Sequence, residues 1–138
     1  MIRRTFSING TPLYMERFKN EKIMLYEMDD NSLVEYIGGH YYNLTQDDNY
    51  IKIDSYKFNG FPNKLNGYPK KIIEKNRYYI PINEKLDAKF DYCNDDEICP
   101  TISVDFGSRE DADIFEIPNW FGEEILLKTK SKKKIIKN

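Results

Sequence analysis

The chain is poor in the residues that most often announce metal or nucleophilic chemistry. It holds one histidine, His40, two cysteines, Cys93 and Cys99, and one tryptophan, Trp120. A Cys-x5-Cys spacing with a single histidine is not that of a zinc site, so both thiols are expected to be free and reduced. No apolar run approaches the length of a membrane span. The opening residues, MIRRTFSING, lack the apolar core of a secretory signal. These absences predict a cytoplasmic protein with no membrane partner. Glycine is scarce too, and the pair Gly38-Gly39 reads as a turn or bulge rather than a phosphate loop. His40, which follows it, reads as a strand residue rather than a catalyst.

What is present favours β-structure. At 138 residues the chain is one domain by size, long enough for a real core. Aromatic residues make up 14%, mostly 11 Tyr and 8 Phe, and such side chains favour strands. The abundance of Lys, Asn, Ile, Tyr and Asp fits an AT-rich coding sequence. Charge is unevenly spread. The last eleven residues, KTKSKKKIIKN, hold six lysines and no acid, so the rest of the chain carries a formal charge of −8 within a total of −2. Residues 1–127 therefore form an acidic body, a single domain, and 128–138 a basic tail expected to be disordered. A functional reading of the tail is weak, non-specific contact with nucleic acid.

Residues 2–8 predict a first strand, with Asn9-Gly10 as a tight turn. LYMERF, KIMLYEM, LVEYIGG and HYYNL follow as short apolar or aromatic runs, separated by Asp29-Asp30-Asn31 and Gln46-Asp47-Asp48-Asn49 among others. That is the pattern of an antiparallel meander. Residues 50–58 alternate as a strand, and 59–69 form a loop. PKKIIEK at 69–75 predicts a short helix with Pro69 in its first turn. RYYIPI, AKFDYC and TISVDF are strands, and CNDDEICP is an acidic loop. Ser108 is placed to cap a helix over SREDADIF. A turn at Asn119-Trp120-Phe121-Gly122 leads to a last strand, EEILLKTK. Trp120 beside Pro118 reads as a core anchor.

Alternation along four of these strands separates charge from apolar surface. Lys52 shares a face with Asp54, Lys75 with Arg77, Lys89 with Asp91, and Ser103 with Asp105. The opposite faces hold Ile51/Ile53, Tyr78/Ile80, Phe90/Tyr92 and Val104/Phe106. A closed sheet would turn the charged faces inward and pack the apolar faces under helices. The same alternation also describes a half-exposed sheet whose polar face meets water.

Five consecutive segments resemble the C-terminal half of a CYTH, or triphosphate-tunnel, domain. They are Lys75-Asn76-Arg77-Tyr78, Lys89-Phe90-Asp91-Tyr92, Ser103-Val104-Asp105-Phe106, Ser108 to Phe115, and Pro118-Asn119-Trp120-Phe121-Gly122-Glu123-Glu124-Ile125. The resemblance covers residues 75–125 and follows the family's order and spacing. It implies an α+β fold: an antiparallel β-barrel or tunnel of about eight strands with one or two short helices. It also implies triphosphate binding by basic residues, with glutamates holding Mg²⁺ or Mn²⁺. Inorganic and thiamine triphosphatases, class IV adenylate cyclases and RNA triphosphatases belong to the family.

The departures fall on the chemistry. The family's E-x-E-x-K first strand has its nearest counterpart in Met1-Ile2-Arg3-Arg4-Thr5-Phe6, without either carboxylate or the lysine. Lys89 stands in place of one glutamate, Ser103 in place of another, and Asp105 shortens a third. The resemblance thus implies a degenerate site. Phosphates would be held by Arg77, Lys75, Lys89 and Lys52, since that needs only charge and donors. Asp91 and Asp105, with Asp54, would be a residual Mg²⁺ or Mn²⁺ site, thin for a metal that demands several oxygens. The leading expectation is a degenerate triphosphate-tunnel protein that binds a phosphorylated small molecule or nucleotide with little or no turnover. One alternative is an active metal-dependent triphosphatase recruiting Glu16, Glu27, Glu35 or Asp54. Another is a small, phage-encoded interaction protein that uses its acidic body or basic tail on a macromolecule.

Overall fold

Pairing is antiparallel throughout the sheet, and β2 to β5 follow one another as a meander with short connections. The computed structural model describes residues 1–9, 15–29, 31–45, 47–53, 69–95, 99–126 and 135–137. They form ten strands, β1 (Ile2–Ile8), β2 (Lys19–Met28), β3 (Leu33–Ile37), β4 (His40–Leu44), β5 (Tyr50–Ile53), β6 (Pro69–Pro81), β7 (Asp87–Tyr92), β8 (Thr101–Phe106), β9 (Phe121–Leu126) and β10 (Ile135–Lys137). One α-helix, α1 (Arg109–Asp113), and one 3₁₀ turn, Met15–Arg17, complete the described elements. The strand order is β10-β9-β1-β8-β7-β6-β2-β3-β4-β5. No described helix is long and apolar enough to cross a membrane.

The sheet curls back on itself. Ile2 bridges Asn49, Arg3 N–H donates to Asp48 O at 2.7 Å, and Tyr50 N–H donates to Met1 O at 2.7 Å. The far edge at β5 therefore returns to the start of β1. Strands β1 to β8 make a ring in the order β1-β8-β7-β6-β2-β3-β4-β5, and β9 continues outward from the later half of β1. Strand pleating then sends alternate side chains inside and outside this ring. The outer face of β1, β6, β7 and β8 carries the main core: Phe6, Ile80, Ala88, Phe90, Ile102, Val104 and Phe106, with Ala112 of α1 and Phe121 of β9 packed on it. Trp120 also packs against this core, edge-on to Phe121 at 4.7 Å between centroids. A smaller cluster of Tyr26, Met28 and Val34 lies on β2 and β3.

Local chemistry explains the joints. Gly38 and Gly39 both take positive φ (59° and 84°), the pairing that lets a two-residue hairpin follow strand twist, and His40 opens β4. The Ser108 side chain caps α1 by accepting from Asp111 N–H at 3.1 Å. On the outer face Arg4 grips both oxygens of Glu124 (2.9 and 2.7 Å) and donates to Ala112 O at 2.7 Å, which ties β1, β9 and α1 together. Gly122 allows β9 to approach β1, where the register shifts between Phe6 and Ile8; Glu123 N–H donates to Ser7 Oγ at 3.0 Å.

Three expectations need correction. Residues 69–75 are not helical but form the first half of β6, because β2 offers a partner along its whole length, from Lys19↔Tyr79 to Met28↔Pro69. Pro69 is tolerated as the first residue of that strand. The LYMERF run contributes a 3₁₀ turn at Met15–Arg17 rather than a strand; Leu13 and Tyr14 lie outside the described residues. Cys93 and Cys99 are not free thiols but a disulfide, closing the loop between β7 and β8 with Cα atoms 5.6 Å apart. Residues 59–68 of the expected loop and 128–134 and 138 of the tail also lie outside the described residues; Ile135–Lys137 of the tail pair with β9 as β10.

Candidate functional site

The inside of the ring is ionic. Arg3, Glu35, Lys75, Arg77, Asp91, Ser103 and Asp105 are all buried, and Arg77 has no exposed surface. They come from β1, β3, β6, β7 and β8, and each sits on the inward side of its pleat. Two arginine–aspartate pairs follow directly from strand register. Arg77 lies opposite Asp91 on β7, and Arg3 lies opposite Asp105 on β8. Arg77 donates from Nε to Asp91 Oδ1 at 2.7 Å and from Nη2 to Oδ2 at 2.9 Å. Arg3 donates from Nε to Asp105 Oδ1 at 2.7 Å and from Nη2 to Oδ2 at 3.0 Å. Such two-point pairing fixes a guanidinium in its plane. Lys75 adds a bond to Asp91 Oδ2 at 2.7 Å, and Lys89 bonds Asp105 Oδ2.

Glu35 joins the two pairs. Its register neighbours are Leu25 and Tyr42, so it has no cation beside it on the sheet. It reaches across the interior instead. Its Oε2 accepts from Arg77 Nη2 at 2.9 Å and Arg3 Nη1 at 3.2 Å, with Lys75 Nζ at 3.7 Å, while Oε1 accepts from Tyr50 OH at 2.7 Å. Tyr50 in turn carries the Arg3 guanidinium on its ring at 3.6 Å and stacks on Tyr42 at 5.0 Å. Cation–π contact with a buried guanidinium adds to the hold on both groups.

The electrostatics follow from this crowding. Burial alone would push the three carboxylates up, but the neighbouring cations outweigh it. Arg77, Arg3 and Lys75 hold Glu35 well below the usual range, and Arg77 and Lys75 lower Asp91. Arg3 and Lys89 bring Asp105 down to about 2. Burial and the charge of Arg3 lower Lys89 despite its bond to Asp105. Burial and the Glu35 charge raise the Tyr50 phenol, keeping it a donor. Ser103 Oγ is buried with no hydrogen-bond partner among the described residues.

Of the residues singled out from sequence, Lys75, Arg77, Lys89, Asp91 and Asp105 thus meet in one interior cluster. Lys52 stands exposed on β5, on the same side of the strand as Tyr50 but outside this cluster; Asp54 lies outside the described residues. Sequence reasoning did not place Arg3 or Tyr50, and named Glu35 only among several acids open to recruitment. The alternation Arg3/Thr5/Ser7 was a usable signal for the first. A metal requires free, converging oxygens. Every oxygen of Asp91 and Asp105 already accepts from arginine or lysine, and the described residues contain no group of three or more His, Cys, Asp or Glu placed to hold a metal ion. As arranged, this donor set does not fit Mg²⁺ or Mn²⁺.

No family model matches the sequence, and no curated protein does. Among solved structures, two of one protein align over 96% of this chain and 94% of theirs at 22% identity. One is described as the inorganic triphosphatase NE1496, with a TM-score of 0.49, and the other as the hypothetical protein NE1496, with a TM-score of 0.50. At this identity the second match speaks to fold alone, and the fold it shares with this ring of antiparallel strands and one short helix is CYTH-like.

Proposed function

We propose that the interior of the ring binds a phosphorylated ligand, a nucleotide or polyphosphate, with little or no turnover. The observation that carries this reading is the convergence of Arg3, Lys75, Arg77 and Lys89 inside a closed, CYTH-like fold. Arginine forks and ammonium groups held by packed strands are the donors that recognise phosphate. In this reading Arg77, Lys75, Lys89 and Arg3 contact phosphate oxygens, and Lys52 adds charge at the margin. Asp91 and Asp105 orient the cations that grip them. Low turnover is supported by the same pairs, because phosphoryl transfer needs charge neutralisation beyond positioning, and the carboxylates that would hold a metal are already engaged.

The active-triphosphatase alternative draws on one observation, the presence of Glu35 in the interior. Two measurements separate the readings. Isothermal titration with tripolyphosphate and ATP, in EDTA and then in Mg²⁺ or Mn²⁺, tests binding; phosphate release under the same conditions tests turnover. Binding without metal and without release is expected. Robust metal-dependent release, abolished by Asp105→Ala, would sink the binding-only reading.

A further inference from the structure

Each interior aspartate belongs to the cation beside it on the sheet. Asp91 is opposite Arg77 and Asp105 opposite Arg3, and each takes both prongs of its arginine. Glu35 differs. It comes from β3, one strand removed from β6 on one side and from β5 on the other, with Leu25 and Tyr42 as its sheet neighbours. Its carboxylate fills a seat made by others: Arg3 Nη1, Arg77 Nη2 and Lys75 Nζ around one oxygen, and Tyr50 OH on the second. Three cations and a neutral phenol converging from β1, β5 and β6 are what a small tetrahedral oxyanion would take.

We infer that Glu35 is an internal competitor occupying the oxyanion seat, and that the seat takes one phosphoryl group of the ligand, any longer chain lying outside it. This rests on the reading that the interior binds phosphorylated ligands. The charge balance sets how much of the ligand the seat takes. With Glu35 withdrawn, Arg3, Lys75, Arg77 and Lys89 face Asp91 and Asp105, with Glu21 opposite Arg77 and bonded by Tyr79, leaving one to two positive charges in excess. That matches the mono- or dianion of phosphate or a phosphomonoester. A triphosphate would bring further negative charge against aspartates that keep their arginines. Ligand entry therefore means exchange: one carboxylate leaves the donors and one phosphoryl group takes them, with no metal required.

The test uses the full chain, with Glu35→Gln to remove the charge at constant shape and Glu35→Asp to draw the carboxylate back by one methylene. Binding of inorganic phosphate, sulfate and tripolyphosphate is measured by isothermal titration in EDTA at fixed ionic strength, alongside thermal melting in chloride and in phosphate. Removing a competitor worth one charged hydrogen bond should tighten inorganic phosphate by about tenfold in Glu35→Gln, with a smaller gain in Glu35→Asp. Tripolyphosphate should gain no more than phosphate does. Affinities of both variants within twofold of the parent would overturn the inference. So would a gain confined to tripolyphosphate, or a melting shift that chloride reproduces. Should a variant fail to fold in chloride, recovery of its fold by phosphate supports the seat, and failure to recover counts against it. If the parent binds phosphorylated compounds and neither variant gains, only the role of Glu35 falls. If parent and variants all bind nothing, the underlying reading falls with it.

Discussion

Asp91→Asn removes one charge from the centre of the interior at almost constant shape. Asp91 is 2% exposed and accepts from Arg77 twice and from Lys75 once, at 2.7 to 2.9 Å. Its loss strands two cations that have almost no access to water: Arg77 with no exposed surface and Lys75 with 5%. Glu35 still accepts from Arg77, so the cost should sit at the lower end for a broken buried pair, about 3 kcal/mol. A domain of this size is stable by roughly 5–15 kcal/mol, so the fold should survive, weakened. With an unfolding entropy of about 2 cal/mol/K per residue, the melting midpoint should fall by about 10 °C. Circular dichroism in chloride buffer at neutral pH, free of phosphate, reads this directly. The companion is Arg77→Met with Asp91→Leu, which removes both ends of the pair and leaves Lys75 to Glu35. It should cost clearly less than the two single changes added together, because the single changes each leave a buried charge unpaired. A shift for Asp91→Asn below about 3 °C, or strict additivity in the cycle, would refute the claim that these ions are held as a dry, mutually dependent network.

Acid should loosen the same network. Burial pushes Asp105 up, but Arg3 and Lys89 overcome it and hold the carboxyl at about 2 against an ordinary 3.8. A folded value below the unfolded one gives stability that is present above about pH 4 and lost as pH falls toward 2, worth about 2 kcal/mol. Melting midpoints between pH 4 and 2 should therefore drop steeply, and less steeply in Asp105→Asn; equal slopes would contradict the linkage. Gly122→Ala should destabilise by about 1–3 kcal/mol, because a Cβ there would meet the Ser7 carbonyl oxygen at 2.8 Å and carbon at 2.9 Å, and denaturant melts would show it. Ser108→Ala removes the cap of a five-residue helix and should cost about 1 kcal/mol in the same assay, with Asp111 N–H left to solvent.

Which parts of this could be read in the residues follows from how far each contact reaches. Period-two alternation is a local property, so the inward set Lys75, Arg77, Lys89, Asp91, Ser103 and Asp105 was legible, as was the apolar set Ile80, Phe90, Val104 and Phe106. The Ser108 cap and the Pro118 to Gly122 turn are equally local. Pro69 to Lys75 was misread because its fate is decided by β2, some forty to fifty residues away in the chain, whose full-length pairing overrides a local helix signal. The Cys93–Cys99 pairing had no local signal either; only the loop geometry brings the two together.

Glu35 was the hardest case, and the reason bears on function. An acid in LVEYI has no charged neighbour in register, so nothing along or across the sheet marks it as an interior residue. Most of its partners lie two strands away, Lys75 and Arg77 on β6 beyond β2 and Tyr50 on β5 beyond β4, and Arg3 joins them when β5 returns to β1. Register pairs such as Arg77 with Asp91 need only two adjacent strands. The Glu35 contacts span three strands each, and the one to Arg3 needs the whole ring. Anything that opens the ring between β5 and β1 should therefore part Arg3 from Glu35 first while leaving each aspartate with its arginine, and that difference is what allows a ligand to replace one carboxylate without dismantling the rest.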